Sequence, residues 1–410
     1  MTQLDPSKLS WMRGEDVAAI FEALPKDSTR YVGGCVRNAL MGIDVGDIDL
    51  ATKLEPKAVA RALKAANIKY VPTGIDHGTL TAVIDGKPFE ITSLRKDVET
   101  DGRRAVVAFT QDWAEDAQRR DLTMNALYAD RDGKVFDPTN QGLEDLSALK
   151  FRFVGEADAR VQEDYLRILR FFRFLAWYGG EGKVDGAALK ACRENRKGLK
   201  KLSAERVWSE LKKLLSAPDP SRAVRIMLTN EIFDTLLPEA SNAEGLTRLV
   251  DLERREAIAP DPLLRLMSMS AREPLQMALL CKRLKMSSKE TTRLRAWSDS
   301  SDALDPHASD GEKLKAIYVA GKDIVIDRAR VRAAGEDDAL LSSPWMSLAD
   351  LAMGWTPPDF PLTGKDLKAA GVAPGPQMGR VMEALKALWI RSGFTADKDK
   401  LLMALKLINR

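Results

Sequence analysis

The chain is poor in histidine and cysteine, and both shortages limit the chemistry it can carry. Of its 410 residues, two are histidines and three are cysteines. So few histidines, with no G-x-S-x-G segment, argue against a serine-hydrolase site and exclude an appended phosphohydrolase domain with several histidine ligands. The scattered Cys35, Cys192 and Cys281 form no zinc-type cluster and predict a reducing compartment without a disulfide framework. Any metal is therefore expected on carboxylates, which suit hard cations such as Mg²⁺.

Long apolar runs and a strong net charge are also missing. The sequence has no apolar stretch long enough for a membrane span, and its first residues have no apolar core of signal-peptide length. We therefore expect a cytoplasmic protein with no membrane contact, and nothing in the sequence indicates an obligate protein partner. The net charge is only +3, so affinity for nucleic acid would have to come from local basic patches.

The hydrophobic pattern changes near residue 150. Before that point, short β-rich runs are separated by helical stretches, and Asp85-Gly86 is a hairpin signal. After it, almost every segment has the 3.6-residue period of a helix. We predict an α/β domain over 1–150, followed by an all-α portion divided into 151–260 and 261–410. The predicted strands are 30–32, 47–51, 80–84, 89–93 and 134–137. The predicted helices are 56–67, 158–177, 187–196, 204–215, 221–229, 262–269 and 274–284.

A glycine pair follows the first predicted strand. Gly33 and Gly34 would let backbone N–H groups approach a phosphate, at a point where a helix is expected to begin near Val36. Arg37 would add a cationic fork. Taken alone, this segment is equally typical of a tight strand-to-helix turn.

Two aspartates stand shortly after this loop. In the predicted strand 47–51, Asp47 and Asp49 are two residues apart, so both carboxylates would lie on one face. Paired carboxylates repel unless a cation lies between them, and phosphoryl transfer with two metal ions needs such a clamp. An isolated pair would favour a solvated strand end, but the preceding loop favours a metal site. Glu90 is the candidate third carboxylate of this catalytic set, although a solvent-facing strand glutamate is nearly as typical.

Arginines recur in two later segments. In the first, Arg120 could meet phosphates while Asp121 and Asn125 bond a ribose, or the segment could simply cap a helix. In the predicted helix 158–177, acidic and basic residues alternate at three- and four-residue spacing. Salt bridges within a helix are the simpler interpretation of that spacing. The residues concerned are Glu163, Asp164, Arg167, Arg170 and Arg173.

The neighbouring Asp164 and Arg167 also fit a nucleotide base. Cytosine and adenine both present an amino donor beside a ring-nitrogen acceptor. Asp164 could accept from the amino group while Arg167 donates to the ring nitrogen. Uracil and guanine would set a carbonyl oxygen against the carboxylate and be rejected. A site of this kind would select C and A without a nucleic-acid template.

Together these motifs resemble the bacterial-type (class II) tRNA nucleotidyltransferase and poly(A) polymerase family, which includes the CCA-adding enzymes. The resemblance covers more than half of the chain, and the motifs occur in family order. They are Gly33-Gly34-x-Val36-Arg37 with Asp47-x-Asp49, Arg119-Arg120-Asp121, Glu163-Asp164-x-x-Arg167, and Glu205-Arg206 with Glu210-Leu211.

The resemblance implies a nucleotidyltransferase head with a polymerase-β-like sheet, followed by a helical neck, body and tail. It implies transfer of CMP and AMP from CTP and ATP to a tRNA 3′ end, with tRNA bound by the helical part. In the family, the glycine loop and the two aspartates bind triphosphate and metal, which assigns Mg²⁺ to Asp47 and Asp49. The expected nucleotide-binding residues are Gly33, Gly34, Arg37, Arg120, Asp121, Asn125, Glu163, Asp164, Arg167, Arg170 and Arg173.

Three segments bear on the activity within the family. The family usually has Asp after the motif arginine, and Asn38 cannot orient Arg37 by charge. The polar stretch 95–104 corresponds to the family's flexible loop, whose switch from C to A addition is implied by the resemblance alone. The stretch 70–79 matches the CCA-adding pattern rather than the basic segment of poly(A) polymerases. Poly(A) addition, A-only or CC-only addition, and a non-catalytic RNA-binding protein remain alternatives.

The aspartate pair generates the first prediction. Asp49→Ala should abolish nucleotide incorporation, because the metal clamp loses a carboxylate, while tRNA binding stays close to that of the unmodified chain. Asp47→Ala should behave in the same way. Incorporation of labelled CMP and tRNA binding by gel shift would be measured in parallel, and full activity of the Asp49→Ala protein would refute the clamp.

Overall fold

The computed structural model describes residues 2–75, 78–101, 104–180, 182–299 and 304–408. For 97–101, 104–107 and 407–408 it describes the backbone only. The chain folds into two compact units, Met1–Pro238 and Glu239–Arg410. In the described ranges, every strand belongs to the first unit. The expected α/β portion followed by an all-helical portion is confirmed. No helix in these ranges has the length and apolarity needed to cross a membrane.

A seven-stranded sheet forms the centre of the first unit. Its strand order is β3-β4-β5-β2-β1-β8-β9, and β6 and β7 form a separate hairpin. The strands are β1 Thr29–Val32, β2 Asp49–Thr52, β3 Lys69–Gly74, β4 Thr79–Ile84, β5 Lys87–Ser93, β6 Arg95–Asp101, β7 Arg104–Phe109, β8 Tyr128–Ala129 and β9 Val135–Phe136.

The centre of this sheet brings two acidic positions together. Strand β2 lies between β1 and β5 and pairs with β5 in parallel, which places Asp49 opposite Glu90. The neighbouring β4 and β5 form the predicted hairpin, with positive φ angles at both Asp85 and Gly86, as a type I′ turn requires. Leu50 and Ile91 are fully buried beside the acidic pair, so the apolar centre of the sheet fixes the register that sets Asp49 against Glu90.

Eleven α-helices accompany the sheet in the described part of the first unit. They are α1 Glu15–Ala23, α2 Gly34–Leu40, α3 Pro56–Ala65, α4 Trp113–Gln118, α5 Gly142–Ser147, α6 Ala157–Glu163, α7 Leu166–Tyr178, α8 Gly186–Glu194, α9 Ala204–Leu215, α10 Ser221–Thr229 and α11 Ile232–Leu236. Short 3₁₀ helices cover Ser10–Met12, Thr123–Asn125 and Arg196–Lys201. The predicted helices 204–215 and 221–229 have these bounds in the structure.

The prediction of one helix over 158–177 is wrong. The chain breaks into α6 and α7 at Asp164, whose backbone is extended with φ −151° and ψ 105°. The Asp164 side chain accepts the backbone N–H of Leu166 at 3.1 Å. A short polar side chain that satisfies a free N–H group favours a helix start over helix continuation. Asp164 therefore stands at a corner before α7 and not on a continuous helical stripe.

The second unit is helical throughout its described residues. Its helices are α12 Ala243–Arg255, α13 Pro262–Met269, α14 Pro274–Arg283, α15 Ser288–Asp299, α16 Asp310–Ala320, α17 Lys322–Gly335, α18 Ala339–Gly354, α19 Gly364–Ala369, α20 Pro376–Arg391 and α21 Lys398–Ile408. One apolar cluster forms around Leu385 and Trp389, and another around Val325 and Ala349. The predicted division of the helical part into 151–260 and 261–410 stays a prediction.

A glycine lies against the corner before α7. Gly198, in the 3₁₀ helix Arg196–Lys201, packs on the ring of Tyr165, the residue after Asp164. A Cβ at position 198 would lie 2.2 Å from two ring carbons of Tyr165, too close for any real contact. Because Gly198 has no side chain, the Tyr165 ring can pack against it, and this contact positions the start of α7.

Replacing this glycine should destabilise the first unit. Gly198→Ala should lower the free energy of unfolding by about 1–3 kcal/mol, because the Tyr165 ring and the adjoining backbone must move. Gly186→Ala is the matched control, since a Cβ there meets nothing within 4 Å and alanine favours the first turn of α8. Urea unfolding of both variants gives the comparison, and equal stabilities would contradict the packing argument.

Candidate active site

The glycine loop has the predicted strand-to-helix form. Strand β1 ends at Val32, and Gly33 has φ 70° and ψ −117°, a left-handed conformation that favours glycine. Helix α2 begins at Gly34, two residues before the predicted start near Val36. A Cβ built on Gly33 would lie 3.6 Å from the Arg120 Nη1 atom. The loop therefore lies directly beside the R-R-D arginine, as a joint phosphate site requires.

The aspartate pair differs in part from its prediction. Asp49 is the first residue of β2, but Asp47 precedes the strand in irregular backbone and is exposed. The same-face argument for a strand 47–51 is therefore wrong, because the pairing of β2 with β1 and β5 begins only near Asp49. In the described ranges, no group of three or more acidic, His or Cys side chains has a metal-binding arrangement. Glu90 as a third ligand accordingly stays a prediction.

The electrostatics of Asp49 still fit a cation. Burial first, and then the neighbouring carboxylates of Glu90 and Asp47, raise the pKa of Asp49 to about 6 against the lowering effect of Arg120. Carboxylates that raise one another's pKa are relieved when a divalent cation lies between them. Their oxygens are also the donors that a hard cation prefers. The acidic residues present therefore suit the predicted metal.

The R-R-D arginines are held by a residue that the sequence analysis missed. Asp116 of α4 is fully buried and pairs with Arg119 at 2.7 Å and with Arg120 at 3.0 Å, while the Tyr128 hydroxyl donates to it at 2.7 Å. Burial alone would raise the pKa of Asp116, yet Arg120, Arg119 and the hydroxyl lower it to about 2. The sequence contained one signal for this role, since Asp116 lies three residues before Arg119 and four before Arg120, which is the spacing of side-chain pairs on a helix.

Asp121 and Asn125 form bonds inside the protein. Asp121 accepts from Arg170 Nε at 2.7 Å and from Asn125 Nδ2 at 3.1 Å. Although burial opposes it, the Arg170 guanidinium and these hydrogen bonds hold the pKa of Asp121 well below its usual range. The Asn125 carbonyl in turn accepts from Arg37. Both predicted ribose ligands are thus engaged with other side chains, and ribose binding stays a prediction.

Asn38 orients Arg37 in spite of its missing charge. Its amide oxygen accepts from Arg37 Nε at 3.1 Å and from Nη2 at 2.8 Å. Arg37 Nη2 also donates to the Tyr178 hydroxyl at 2.7 Å. Arg37 is only 5% exposed, and burial lowers its pKa. The neutral amide thus supplies by geometry the orientation that a carboxylate would supply by charge.

The acidic and basic residues around α7 are paired, but only the two bonds to Glu163 have the local spacing that the simpler interpretation predicted, and the other pairs run to distant elements. Glu163 accepts from both Arg160 and Arg167. Asp164 Oδ2 accepts from Arg206 Nη2 at 2.7 Å. The remaining pair, Arg173 Nε with Glu210 at 2.8 Å, joins α7 to α9.

A cleft of about 280 Å³ opens where these groups meet. It is lined by Arg119, Arg120, Asp121, Asp164, Leu166, Arg167, Arg170 and Arg206. Five guanidiniums and two carboxylates line the cleft, and the balance stays positive when Asp116 and Glu163, which pair with three of these arginines, are included. A positive cleft suits a polyphosphate. Asp164 and Arg167 lie here together, as base recognition requires. Arg206 is a further lining residue, which the sequence analysis named in a family motif and left out of the binding set.

The Asp116 cluster generates a prediction. Asp116→Asn should lower the free energy of unfolding by about 3 kcal/mol, because two half-buried arginines lose the buried carboxylate that they share. Asp112→Asn is the matched control, since Asp112 caps the same helix from an exposed position and asparagine caps equally well. Urea unfolding measures both variants, and a loss in Asp112→Asn as large as that in Asp116→Asn would contradict the assignment.

The comparisons with known proteins agree with this geometry. Residues 29–152 match the model of the Poly A polymerase head domain, and 183–244 match the probable RNA- and SrmB-binding site of polymerase A. The mitochondrial CCA tRNA nucleotidyltransferase 1 of Mus musculus is 34% identical over 401 residues, which are 96% of this chain and 90% of that protein. The CCA-adding enzyme of Streptococcus pyogenes is 37% identical over 222 residues, or 54% of each chain.

A solved structure extends the likeness to the fold. The Bacillus stearothermophilus CCA-adding enzyme, in complex with CTP, superposes with a TM-score of 0.74 at 27% identity and covers 97% of each chain. One relative thus matches nearly the whole length in sequence, and this neighbour matches it in structure. The chain belongs to the family of CCA-adding tRNA nucleotidyltransferases.

Proposed function

We propose that this enzyme adds CMP and AMP, taken from CTP and ATP, to the 3′ end of tRNA and releases pyrophosphate. The observation that carries the proposal is the cleft in which Asp164 and Arg167 lie beside Arg120 and the glycine loop. One end of the cleft suits a C or A base and the other a triphosphate. Relatives that this chain matches over most of their length are named for the same reaction.

Base choice falls to Asp164 and Arg167. Asp164 uses one lone pair of Oδ1 on the Leu166 N–H and one of Oδ2 on Arg206. An ionised carboxylate has further lone pairs, which can accept from the amino group of cytosine or adenine. Arg206 fixes the orientation of this carboxylate, while Glu163 fixes Arg167 from the other side. The ion pairs therefore hold the base-reading groups rather than replace them.

Triphosphate binding falls to the loop and the arginines. Gly33 and Gly34 give the phosphates access to the backbone beside Arg120. Arg120 is held by Asp116 and Tyr128 with its side chain 18% exposed, so it is both fixed and accessible. Arg170 lines the same cleft, and Arg173 supports α7 through Glu210.

Enzymes of this family generally use a divalent metal ion, and we propose Mg²⁺ at Asp47 and Asp49, with Glu90 adjacent. When bound, the ion supplies activation of the attacking hydroxyl and charge neutralisation on the pyrophosphate. The pairing of β2 with β5 holds Asp49 in place, so its position in the site is fixed. Asp47, in irregular backbone, can adjust to the ion.

We propose a nucleotidyltransferase head over 1–150, a neck and body over 151–260 for base and RNA recognition, and a tRNA-binding tail over 261–410. The stretch 70–79, which favours CCA over poly(A) addition by resemblance, includes Asp76 and His77, which lie outside the described residues. All three cysteines are free and buried, which supports a reducing compartment such as the cytoplasm, although some relatives are named as mitochondrial.

The proposed reaction is tested with shortened tRNA. Transcripts that lack one, two or three terminal nucleotides are incubated with each labelled NTP separately and then together. We expect ordered addition of C, C and A, incorporation of U or G that is at most slow, and termination after A. A tRNA that already ends in CCA is the control and should gain nothing.

Each other result has a separate meaning. A long A tract would indicate a poly(A) polymerase, and addition of A only to tRNA ending in CC would indicate a split activity. Binding of tRNA without any incorporation would indicate a non-catalytic RNA-binding protein.

A further inference from the structure

Helix α7 contacts the sheet domain along one of its faces, where Arg167 Nη2 donates to the Arg119 carbonyl at 3.5 Å and two shorter attachments follow further along the helix. Arg170 pairs with Asp121, and Tyr178 accepts from Arg37. These two positions are eight residues apart, which is about 12 Å along a helix. Phe174, midway between them, lies under the Arg37 guanidinium with 5.2 Å from its ring centre to the Arg37 Cζ atom. Positions 170, 174 and 178 are spaced by four and so share a face.

The two attachments are joined inside the sheet domain. Asn125 donates to Asp121 and accepts from Arg37, so one chain of bonds runs from Arg170 to Tyr178. We call the set Arg37, Asn38, Asp121, Asn125, Arg170 and Tyr178 the head–neck joint. Because the two attachments lie at different positions along α7, they constrain its direction in addition to the packing of its buried apolar residues.

Arg37 is placed to serve this joint. Its Nε donates to Asn38, its Nη1 to Asn125 and its Nη2 to both Asn38 and Tyr178. It is 5% exposed and is not among the residues that line the cleft. Within the described residues, the acceptors of its hydrogen bonds are all uncharged. The strength of these hydrogen bonds therefore depends more on their geometry than on the salt concentration.

We propose that Arg37 and Tyr178 are positioning residues, which set the direction of α7 and so hold the Asp164–Arg167 pair in register with the glycine loop. The proposal rests on the function proposed above and replaces direct triphosphate binding by Arg37. Helix α7 connects the two sites directly, because Arg167 lies in its first turn and Tyr178 is its last residue. A small rotation at one end moves the base-reading groups at the other.

The test is Tyr178→Phe, which keeps the ring over Arg37 and removes only the hydroxyl. Arg37 Nη2 retains Asn38 as an acceptor, so no buried charge is left without a partner. We expect kcat/KM for CTP to fall about tenfold, the usual effect of one lost bond to a charged group, while the slow use of UTP stays unchanged. The discrimination between CTP and UTP should therefore fall by the same factor.

Trp177→Phe is the matched control. Trp177 is the neighbouring aromatic residue of α7, and its Nε1 donates to the Lys213 carbonyl, also at 2.7 Å, outside the joint. This variant loses a bond of the same length and should keep the discrimination of the unmodified enzyme. Because discrimination is a ratio measured in one sample, a change in the folded fraction does not affect it.

A second variant tests whether Tyr178 acts through Arg37. Arg37→Lys keeps the charge and loses the fork that reaches Asn125 and Tyr178 together. In the Arg37→Lys background, Tyr178→Phe should change the discrimination less than about twofold, as expected for two residues in one interaction. An undiminished effect in that background would overturn the proposal.

Two results with Tyr178→Phe would also overturn it. An equal fall for CTP and UTP would mean that Arg37 contributes to triphosphate binding, which is common to both nucleotides. Unchanged discrimination would mean that the second attachment has no role. The unmodified enzyme is assayed beside the variants, and its failure to prefer CTP would instead refute the proposed function.

Discussion

The ion pair between Arg170 and the buried Asp121 is the contact on which the rest of the site depends. It is made by two nitrogens of one guanidinium on one carboxylate oxygen. It joins the first long neck helix to the R-R-D segment of the head. A pair of this kind is directional as well as attractive, so it fixes an orientation and not only a proximity. The cleft residues of α7 and those of the R-R-D segment take their relative position from it.

Buried carboxylates fix the arginines near this contact, and the cleft is lined mostly by arginines. Asp116, Asp121 and Glu210 are buried and each holds one or two arginines, so those arginines are fixed. The cleft nonetheless keeps more guanidiniums than carboxylates. Each of these guanidiniums is already held by a carboxylate, so the positive charge of the cleft is in place before a substrate binds. Preorganised charge of this kind avoids the cost of rearranging side chains when the substrate binds.

Structural and functional interpretations of the same residues turn out to be compatible. The alternation of acids and bases in 158–177 could have been salt bridges or a nucleotide site, and the ion pairs are indeed present. They run to other elements as well as along the helix, since Asp164 pairs with Arg206 of α9 and Arg170 with the head. The pairs hold the groups at the walls of the cleft, which is what recognition of a rigid base edge requires.

The sequence by itself determined the division into an α/β and an all-helical part, the bounds of several helices such as 204–215 and 262–269, the D-G hairpin and the family motifs. These features depend on local period, turn chemistry and residue type, which lie within a few positions of each other. Only the tertiary structure decided where Asp164 points, because its carboxylate bonds Arg206, which lies 42 positions further along the chain. It likewise decided that Asp47 precedes its strand, that Asp116 holds both arginines, and that Arg37 meets Tyr178. The last contact joins residues 141 positions apart, and such a distance is bridged by packing and not by pattern.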